Sequence, residues 1–328
     1  MAEVQGAAAK ITMEEIGAAA ERLKNWGKWG PDDELGTLNY TQAEDVVAAA
    51  RLVQKGKIIS LALPYDSQGP QVPAKGKAAL PGRFNPIHLM LRTGTDAYSG
   101  VLDFRKIRSA DDIVIMPTQA GTQWDALGHI FYGDQMWNGY DCRNVTSGGA
   151  QKCGIEKTRE KMVGRGVLFD IPRMLGREHL PGGFAIDNEM LDRAERHFHA
   201  EVRRGDFLLV RTGQLEAMLS ANTWDGYSGG DAPGFAFETL DWLQKKQVAG
   251  IATDTWGAEV RPNQTSDAFQ PFHWISIPIM GLTVGEIFDL AELAKDCAED
   301  KRYEFMFVAP ALPITGAVGS PVNPLAIK

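Results

Sequence analysis

The residues with the clearest potential for chemistry lie close together between positions 113 and 129, in the segment I-V-I-M-P-T-Q-A-G-T-Q-W-D-A-L-G-H. Its apolar start predicts a buried strand. Four polar side chains follow that strand: Gln119, Gln123, Asp125 and His129. Such a set beyond a strand end suits a catalytic or metal-binding loop, because loops on a rigid scaffold commonly carry function. A polar turn that satisfies its own backbone explains the segment equally well by itself.

Aromatic side chains accompany these residues along the chain. Trp124 and Tyr132 flank the polar cluster, and Trp256 and Trp274 lie in later segments. Either a substrate pocket or the hydrophobic core can hold each of them. His88 lies on a predicted strand of apolar neighbours, where a hydrogen-bonded core or edge histidine is the ordinary interpretation and a place in the pocket is the alternative. Together the aromatic residues favour an apolar or aromatic cyclic substrate over a highly charged one.

Two helices near the N-terminus are predicted from capping boxes, in which a Thr hydroxyl and a Glu carboxylate satisfy free backbone donors. Thr12 with Glu15 predicts the start of the first helix, and Thr41 with Glu44 the start of the second. Gly56 is the expected C-cap of the second helix.

The remaining elements predict a mixed α/β domain rather than a regular doubly wound sheet, because strands alternate with helices only in the second half. Strand-like runs occupy 58–63, 87–92, 113–116, 167–171, 207–212, 248–253 and 304–309. Helical periodicity occupies 187–199, 213–221, 236–246 and 284–296. We therefore expect a tail and two-helix extension over 1–56, followed by one mixed α/β domain over 57–328.

Composition excludes several classes of protein. The 328 residues carry a formal net charge of −8, so a nucleic-acid partner is not expected. Three scattered cysteines indicate neither a disulfide framework nor a zinc knuckle and suit a reducing compartment. Neither a membrane-spanning stretch nor a secretory signal is visible, which makes the cytoplasm the expected location. There is no G-x-G-x-x-G, P-loop or G-x-S-x-G motif.

The chemical segment resembles the signature H-x-G-T-H-x-D-x-x-x-H of the cyclase family, which includes bacterial kynurenine formamidases, isatin hydrolase and related amide and lactone hydrolases. Gly121, Thr122, Asp125 and His129 keep the frame of that signature, whereas glutamines replace both leading histidines. Further segments are similar to family segments in the same order: 204–213, 233–243, 248–255, 272–286 and 316–326. The resemblance extends from about Lys57 to the end of the chain.

This resemblance implies a role for each matching position. Gln119, Gln123 and Asp125 occupy the primary metal-ligand positions, and His129 that of the catalytic imidazole. Because an amide oxygen is a harder and weaker ligand than imidazole, the substitutions favour manganese over zinc. In a second interpretation no metal binds tightly, and the glutamines hydrogen-bond Asp125 or the substrate.

The resemblance also assigns residues far along the chain. His273 and Glu286 fall where the family places further metal ligands or groups that bind the nucleophilic water, so Glu286 is also a candidate acid–base residue. Asp254 is expected to orient neighbouring groups. The implied fold is the family's swivelling β/β/α-type mixed sheet, here with its N-terminal helical extension, assembled as a homodimer or homotetramer.

The function implied is metal-dependent hydrolysis of a cyclic amide, a lactone or a related carbonyl C–N or C–O bond in a small molecule. Two alternatives remain open. One is a lyase or isomerase that uses His129 and Glu286 with weak metal or none, and the other is a non-catalytic relative that binds a small molecule.

Overall fold

A nine-stranded mixed sheet forms the centre of the structure, a computed structural model that describes residues 9–72 and 82–328. The strands of the described residues are β1 Ile58–Ser60, β2 Ile87–Arg92, β3 Asp111–Ile115, β4 Gln123–Asp125, β5 Val145–Thr146, β6 Gly149–Ala150, β7 Val163–Asp170, β8 Ala185–Ile186, β9 Phe207–Arg211, β10 Gly234–Phe235, β11 Gly250–Thr253, β12 Thr283–Glu286, β13 Glu304–Val308, β14 Gly319–Pro321 and β15 Leu325–Ile327. The α-helices in the same ranges are α1 Met13–Arg22, α2 Ala43–Ala50, α3 Gly94–Tyr98, α4 Ile171–Met174, α5 Asn188–Phe198, α6 Gln214–Ser220, α7 Thr239–Lys246, α8 Pro271–Ser276 and α9 Ala291–Asp300.

The central sheet has the strand order β1-β15-β13-β7-β9-β11-β12-β4-β14. Its middle strands β7, β9, β11 and β12 run parallel, and the strands on either side join antiparallel. The parallel strands are buried on both faces, as crossover connections that place helices against a sheet require. The predicted mixed α/β class is confirmed.

Most predicted elements form close to their expected positions, and two of those that follow the N-terminal helices need correction. The predicted helix 284–296 is wrong at its start, because Thr283–Glu286 is the strand β12 and the helix α9 begins at Ala291. The predicted strand 113–116 forms as β3, but it is not buried. It pairs only with β2 in a separate hairpin, where nearly every residue of both strands is exposed.

The N-terminal helices pack on the rest of the chain. The capping box of Thr12 and Glu15 is confirmed, and α1 lies against α8 with Ile16 in the main core. The predicted box of Thr41 and Glu44 is wrong by one residue, since the N-cap is Gln42 and its backbone N–H donates to Asp45 Oδ2 at 2.8 Å. The Thr41 hydroxyl donates instead to the carbonyl oxygen of Gly205 at 2.9 Å.

The second N-terminal helix is also shorter than expected. It ends at Ala50, well before the predicted C-cap Gly56. It packs mainly on β7 and also contacts β13, so both N-terminal helices rest against the body of the same chain. The division at residue 56 stays a prediction. In the two described ranges no helix combines the length and the apolar character that crossing a membrane requires.

Candidate active site

The short strand β4 carries two of the predicted residues on one face. Because side chains alternate along a strand, Gln123 and Asp125 lie on the same side and Trp124 on the other. Antiparallel pairing with β12 places Glu286 directly opposite Gln123. All three polar side chains are buried. The register of two neighbouring strands therefore brings together carboxylates that are 161 residues apart in the numbering, 286 against 125.

A buried imidazole completes this group from the helix α8. The two ring nitrogens of His273 contact different carboxylates, with Nδ1 2.6 Å from Glu259 Oε1 and Nε2 3.0 Å from Glu286 Oε1. Glu259 Oε1 also accepts a hydrogen bond from the backbone N–H of His273 at 3.1 Å. The start of α8 is thus held on Glu259, and the ring has one defined orientation.

The amide of Gln123 lies between the two carboxylates. Its Nε2 donates to Glu286 Oε2 at 3.0 Å and is 3.4 Å from Asp125 Oδ1. Its Oε1 is buried without a hydrogen-bond partner, which is unusual for a buried oxygen. Gln123 therefore links the acidic groups and retains one free ligand atom.

His129 approaches the same group from the loop after β4. Its Nε2 is 3.8 Å from Asp125 Oδ1, and the side chain is 20% exposed. Its Nδ1 lies 3.5 Å from Nε2 of Gln119, whose amide also donates to the carbonyl oxygen of Val318 at 3.3 Å. Gln119 therefore contacts His129 rather than Asp125.

Gly121, between Gln119 and Gln123, allows a close approach of the backbone to an aromatic ring. A Cβ atom at Gly121 would lie 2.9 Å from the ring of Tyr65, which is too close for any other residue without movement. The Tyr65 hydroxyl accepts the backbone N–H of Val322 at 2.8 Å. The glycine lets the segment pack against this anchored ring.

The converging residues surround a cavity of about 40 Å³, which has room for an ion and a few water molecules. Its lining consists of Arg83, Asp125, His129, Ile130, Trp256, Gln270, His273 and Glu286. The Arg83 guanidinium lies 5.1 Å from the ring centroid of Trp256. The structure thus brings together Asp125, His129, His273 and Glu286, the four residues on which the sequence-based proposal depends.

Burial and neighbouring charge give these groups unusual protonation. Burial, and then the charge of Glu286, raise the pKa of Asp125 to about 8. Burial lowers the pKa of His129 to about 4, with the charge of Arg83 acting in the same direction, so its imidazole is neutral at pH 7. Burial opposes the charged form of His273, but hydrogen bonds to Glu259 and Glu286 outweigh it and raise the pKa to about 10.

These residues fit a divalent cation. One ligand atom from each of Asp125, His273 and Glu286 can be chosen so that all lie within 4.8 Å of one another. Two neighbouring carboxyl groups in a buried cavity are difficult to ionise together, because their negative charges repel each other and are shielded from water. A bound cation offsets this unfavourable free energy. Gln123 can provide a further oxygen ligand, because its Oε1 has no hydrogen-bond partner. Rotation of the amide would exchange Oε1 with Nε2 and place the oxygen beside the two carboxylates.

The aromatic residue within the polar cluster itself belongs to the core rather than to a pocket. Trp124 is fully buried, packs against Phe207, Phe288 and Phe307, and donates from Nε1 to the carbonyl oxygen of Ala309, so its place is the core. The alternation of the strand turns it away from the cavity.

Three further residues considered for the pocket, His88, Tyr132 and Trp274, do not line the cavity either. His88 lies on the exposed hairpin and pairs with Asp112 at 2.8 Å. Tyr132 and Trp274 are half-buried and pack on each other, with ring centroids 6.3 Å apart. Of the aromatic residues considered from the sequence, Trp256 is the one that lines the cavity.

Asp254 stabilises a turn of the backbone. Its carboxylate accepts hydrogen bonds from the N–H and hydroxyl of Thr212, both at 2.7 Å, and from the N–H of Gly213 at 2.6 Å. Burial raises its pKa to about 6 in spite of these bonds. It holds the connection from β9 to α6 and does not line the cavity.

Sequence reasoning missed three residues of the site, namely Glu259, Arg83 and Gln270. Glu259 had a visible signal, because a charged residue in the otherwise apolar stretch G-A-E-V is buried only if it is paired. Arg83 and Gln270 stand in polar, proline- or glycine-containing loops, and nothing local distinguishes them from solvent-exposed residues.

Known proteins resemble this chain along most of its length. The family described as "Putative cyclase" matches residues 46–260. A crystal structure described as a novel cyclase is 41% identical and has a TM-score of 0.83, covering 93% of this chain and 100% of its own.

Two isatin hydrolases share the fold at much lower identity. Isatin hydrolase A from Labrenzia aggregata, solved with benzyl benzoate, is 18% identical with a TM-score of 0.58, covering 87% of this chain and 98% of its own. Isatin hydrolase A from Ralstonia solanacearum is 17% identical with a TM-score of 0.59, covering 87% and 97%. No curated protein matches the chain.

Proposed function

The chain belongs to the cyclase family, and on that premise we propose that it is a metal-dependent hydrolase of a cyclic amide, a lactone or a related carbonyl C–N or C–O bond. The observation that carries the proposal is the convergence of Asp125, His129, His273 and Glu286 on one cavity. A buried group of two carboxylates and two imidazoles is costly for stability, so its presence indicates a use in binding or catalysis.

Asp125, His273 and Glu286 would hold the ion, and the amide oxygen of Gln123 would be a fourth ligand. This set contains more oxygen than nitrogen, which favours manganese over zinc. A divalent ion held by these residues would supply Lewis-acid chemistry, making a substrate carbonyl more electrophilic and a nearby water more acidic. Because His273 must lose its proton to become a ligand, binding of the metal releases a proton.

His129 is the proton carrier in this proposal. It is neutral at pH 7, borders the cavity and lies 3.8 Å from Asp125 without being held by two carboxylates as His273 is. It removes a proton from the attacking water and returns one to the leaving nitrogen or oxygen. Glu259 keeps His273 oriented, and Arg83 places a positive charge where the developing oxyanion or the product carboxylate lies.

The substrate is a small molecule whose reacting carbonyl enters the cavity. Two relatives of the same fold are named as isatin hydrolases, which supports a compact ring as the substrate. The cavity of about 40 Å³ accommodates a carbonyl group and a water rather than a whole ring. The Trp256 ring beside it offers an apolar face to the rest of the substrate.

Metal analysis and turnover test the proposal together. Protein purified without chelator is expected to contain about one divalent ion per chain, and hydrolysis of a lactone or imide panel is expected to stop with chelator and return with Mn²⁺. Asp125→Asn should lower turnover by at least about 100-fold. Asp267→Asn, in an exposed loop, is the matched control and should leave turnover unchanged. Full turnover by Asp125→Asn contradicts the assignment.

One observation favours a metal-free lyase or isomerase as the second candidate. The Nε2 of Gln123 already contacts both carboxylates, so a nitrogen donor stands where the signature of the family has a metal-binding histidine. Activity that survives exhaustive chelation, with no ion detected, supports this candidate and contradicts the hydrolase proposal. Binding without turnover of every compound contradicts both.

A further inference from the structure

Gln270, the residue before α8, lines the cavity in an unfavourable backbone conformation. Its φ and ψ are 55° and 57°, in the left-handed region that residues with a Cβ rarely adopt. The next residue is Pro271, and a proline favours extended backbone in the residue before it. A glycine would adopt this conformation at no steric cost, but it would carry no side chain into the cavity. Backbone strain of this kind persists only where surrounding contacts impose it.

The contacts that hold the Gln270 backbone begin at the site itself. The backbone N–H of Gln270 donates to Asn263 Oδ1 at 3.1 Å, and Asn263 Nδ2 donates to Glu259 Oε2 at 3.1 Å. The other oxygen of Glu259 is 2.6 Å from Nδ1 of His273, three residues after Gln270. One buried carboxylate therefore orients the imidazole directly and, through Asn263, fixes Gln270 beside it.

The side chain of Gln270, in contrast to its backbone, is unpaired. It is half-buried, and none of residues 9–72 and 82–328 forms a hydrogen bond with its amide. A Cβ atom added at Gly257 would lie 3.1 Å from Gln270 Nε2 and 3.9 Å from Glu286 Oε1, so both groups lie close to the same glycine. A donor and an acceptor are thus held free at the cavity, within reach of a molecule that also meets Glu286.

The chemistry of a primary amide restricts what this side chain can bind. It offers an N–H donor and a carbonyl acceptor side by side, which matches a ring N–H next to a ring carbonyl. A lactone has acceptors only and would leave the glutamine oxygen without a donor, which costs binding free energy. A ring whose N–H lies between two carbonyls satisfies the amide with the N–H and one carbonyl, and its second carbonyl stays available for reaction.

We propose that Gln270 is a substrate-binding residue and that the substrate is a cyclic imide, a ring with an N–H between two carbonyls. Gln270 Oε1 accepts the ring N–H, and Nε2 donates to the carbonyl that does not react. The other carbonyl faces Asp125 and Glu286. Which carbonyl reacts rests on the proposed function, whereas binding of the ring by Gln270 requires no turnover.

Proton NMR of the full chain as purified tests the proposal with two probes, succinimide and γ-butyrolactone. Saturation transfer measures binding, and new signals of the ring-opened acid measure hydrolysis. Gln270→Gly is expected to weaken the binding of succinimide at least about tenfold and that of γ-butyrolactone less than about threefold, because only the imide uses both ends of the amide. The KM for succinimide should rise by the same factor, with a smaller change in kcat.

Gln247→Gly is the matched control. Gln247 is also a glutamine in the left-handed conformation, with φ 56°, but it ends α7 and does not line the cavity. Both glycine variants are expected to unfold at a temperature equal to or above that of the wild type, because glycine adopts this backbone without steric cost. Only Gln270→Gly should lose affinity for succinimide. A Gln270→Gly variant that unfolds below the wild type would assign Gln270 a structural role and overturn the inference.

Three results of the NMR measurement also overturn it. They are an affinity for succinimide that stays within about twofold in Gln270→Gly, an equal loss of affinity for both probes, and a wild type that binds no succinimide. A wild type that opens γ-butyrolactone without binding succinimide overturns this inference and leaves the hydrolase proposal intact. Succinimide that binds through Gln270 but is never opened supports the binding role and contradicts the hydrolase proposal.

Discussion

Gln123 is the residue that most distinguishes this site. It stands where the signature of the family has a histidine, and its amide nitrogen contacts both Asp125 and Glu286. An imidazole at this position offers a stronger ligand to a borderline ion such as Zn²⁺. We therefore expect the identity of this side chain to influence which divalent ion the site binds more tightly.

The first prediction concerns Gln123→His. We expect the affinity for Zn²⁺ to rise about 10- to 100-fold relative to Mn²⁺, because a nitrogen ligand replaces a neutral oxygen. Titration calorimetry on metal-free protein measures both ions. Gln151→His adds an imidazole at an exposed position and serves as the control. An unchanged preference between the two ions would show that residue 123 is not a ligand.

The second prediction concerns Glu259, which touches the site only through His273. Glu259→Gln is expected to weaken Mn²⁺ binding about 10- to 100-fold, because the charge that orients and polarises the imidazole is lost. The measurement is the same titration, and Glu160→Gln, whose side chain is 83% exposed, is the control. The pKa of His273 should also fall, which histidine NMR resonances report. If both quantities stay constant, Glu259 has only a structural role.

At the scale of elements, the strand β4 serves both the site and the core. Gln123 and Asp125 lie on the side of Glu286, whereas Trp124 between them packs into the aromatic cluster of Phe207, Phe288 and Phe307. Of the two interpretations of Trp124, pocket or core, the pocket is wrong for this reason. A single strand thus couples the position of Asp125 to the packing of the core.

The third prediction separates the two faces of β4. Trp124→Ala should lower the free energy of unfolding by about 3–5 kcal/mol, because it leaves a cavity among aromatic rings. Gln123→Ala should lower it by less, because it also removes a buried oxygen without a partner. Urea denaturation measures both variants, and turnover should fall more in Gln123→Ala. Equal stability losses would mean that the two faces are not energetically distinct.

At the scale of the whole molecule, stability depends on buried acids as well as on the apolar core. Burial raises the pKa of Asp206 to about 7 from 3.8, although Arg165 and the N–H of Arg203 act against it. Between these two values the folded chain keeps a proton that the unfolded chain has released. The free energy of unfolding therefore falls as the pH rises through this window.

The fourth prediction follows from that sign. Asp206→Asn carries no ionisable group, so its stability relative to the wild type should improve between pH 4 and pH 8. Urea denaturation of metal-free protein at several pH values measures the difference. A difference that does not change with pH would contradict the raised pKa.

Much of the fold was predictable because it depends on neighbours in the chain. The strand β2 covers the predicted residues 87–92, and Thr12 caps α1 with Glu15 as expected. Strand alternation, helical periodicity and capping are interactions over a few residues, and they are visible in the sequence. The resemblance to the cyclase family added the pairing of Asp125 with His273 and Glu286 in one site, which no local pattern indicates.

Only the tertiary structure decided which side chains are buried and what they meet. Glu286 reaches the site because β12 pairs with β4 in one particular register. Residues 283–286 form that strand, although the sequence predicted a helix starting at 284. Glu259 is the partner of His273, and the apolar strand β3 is exposed in its hairpin with β2. Each of these outcomes depends on contacts between distant parts of the chain, whose energies do not follow from local sequence patterns.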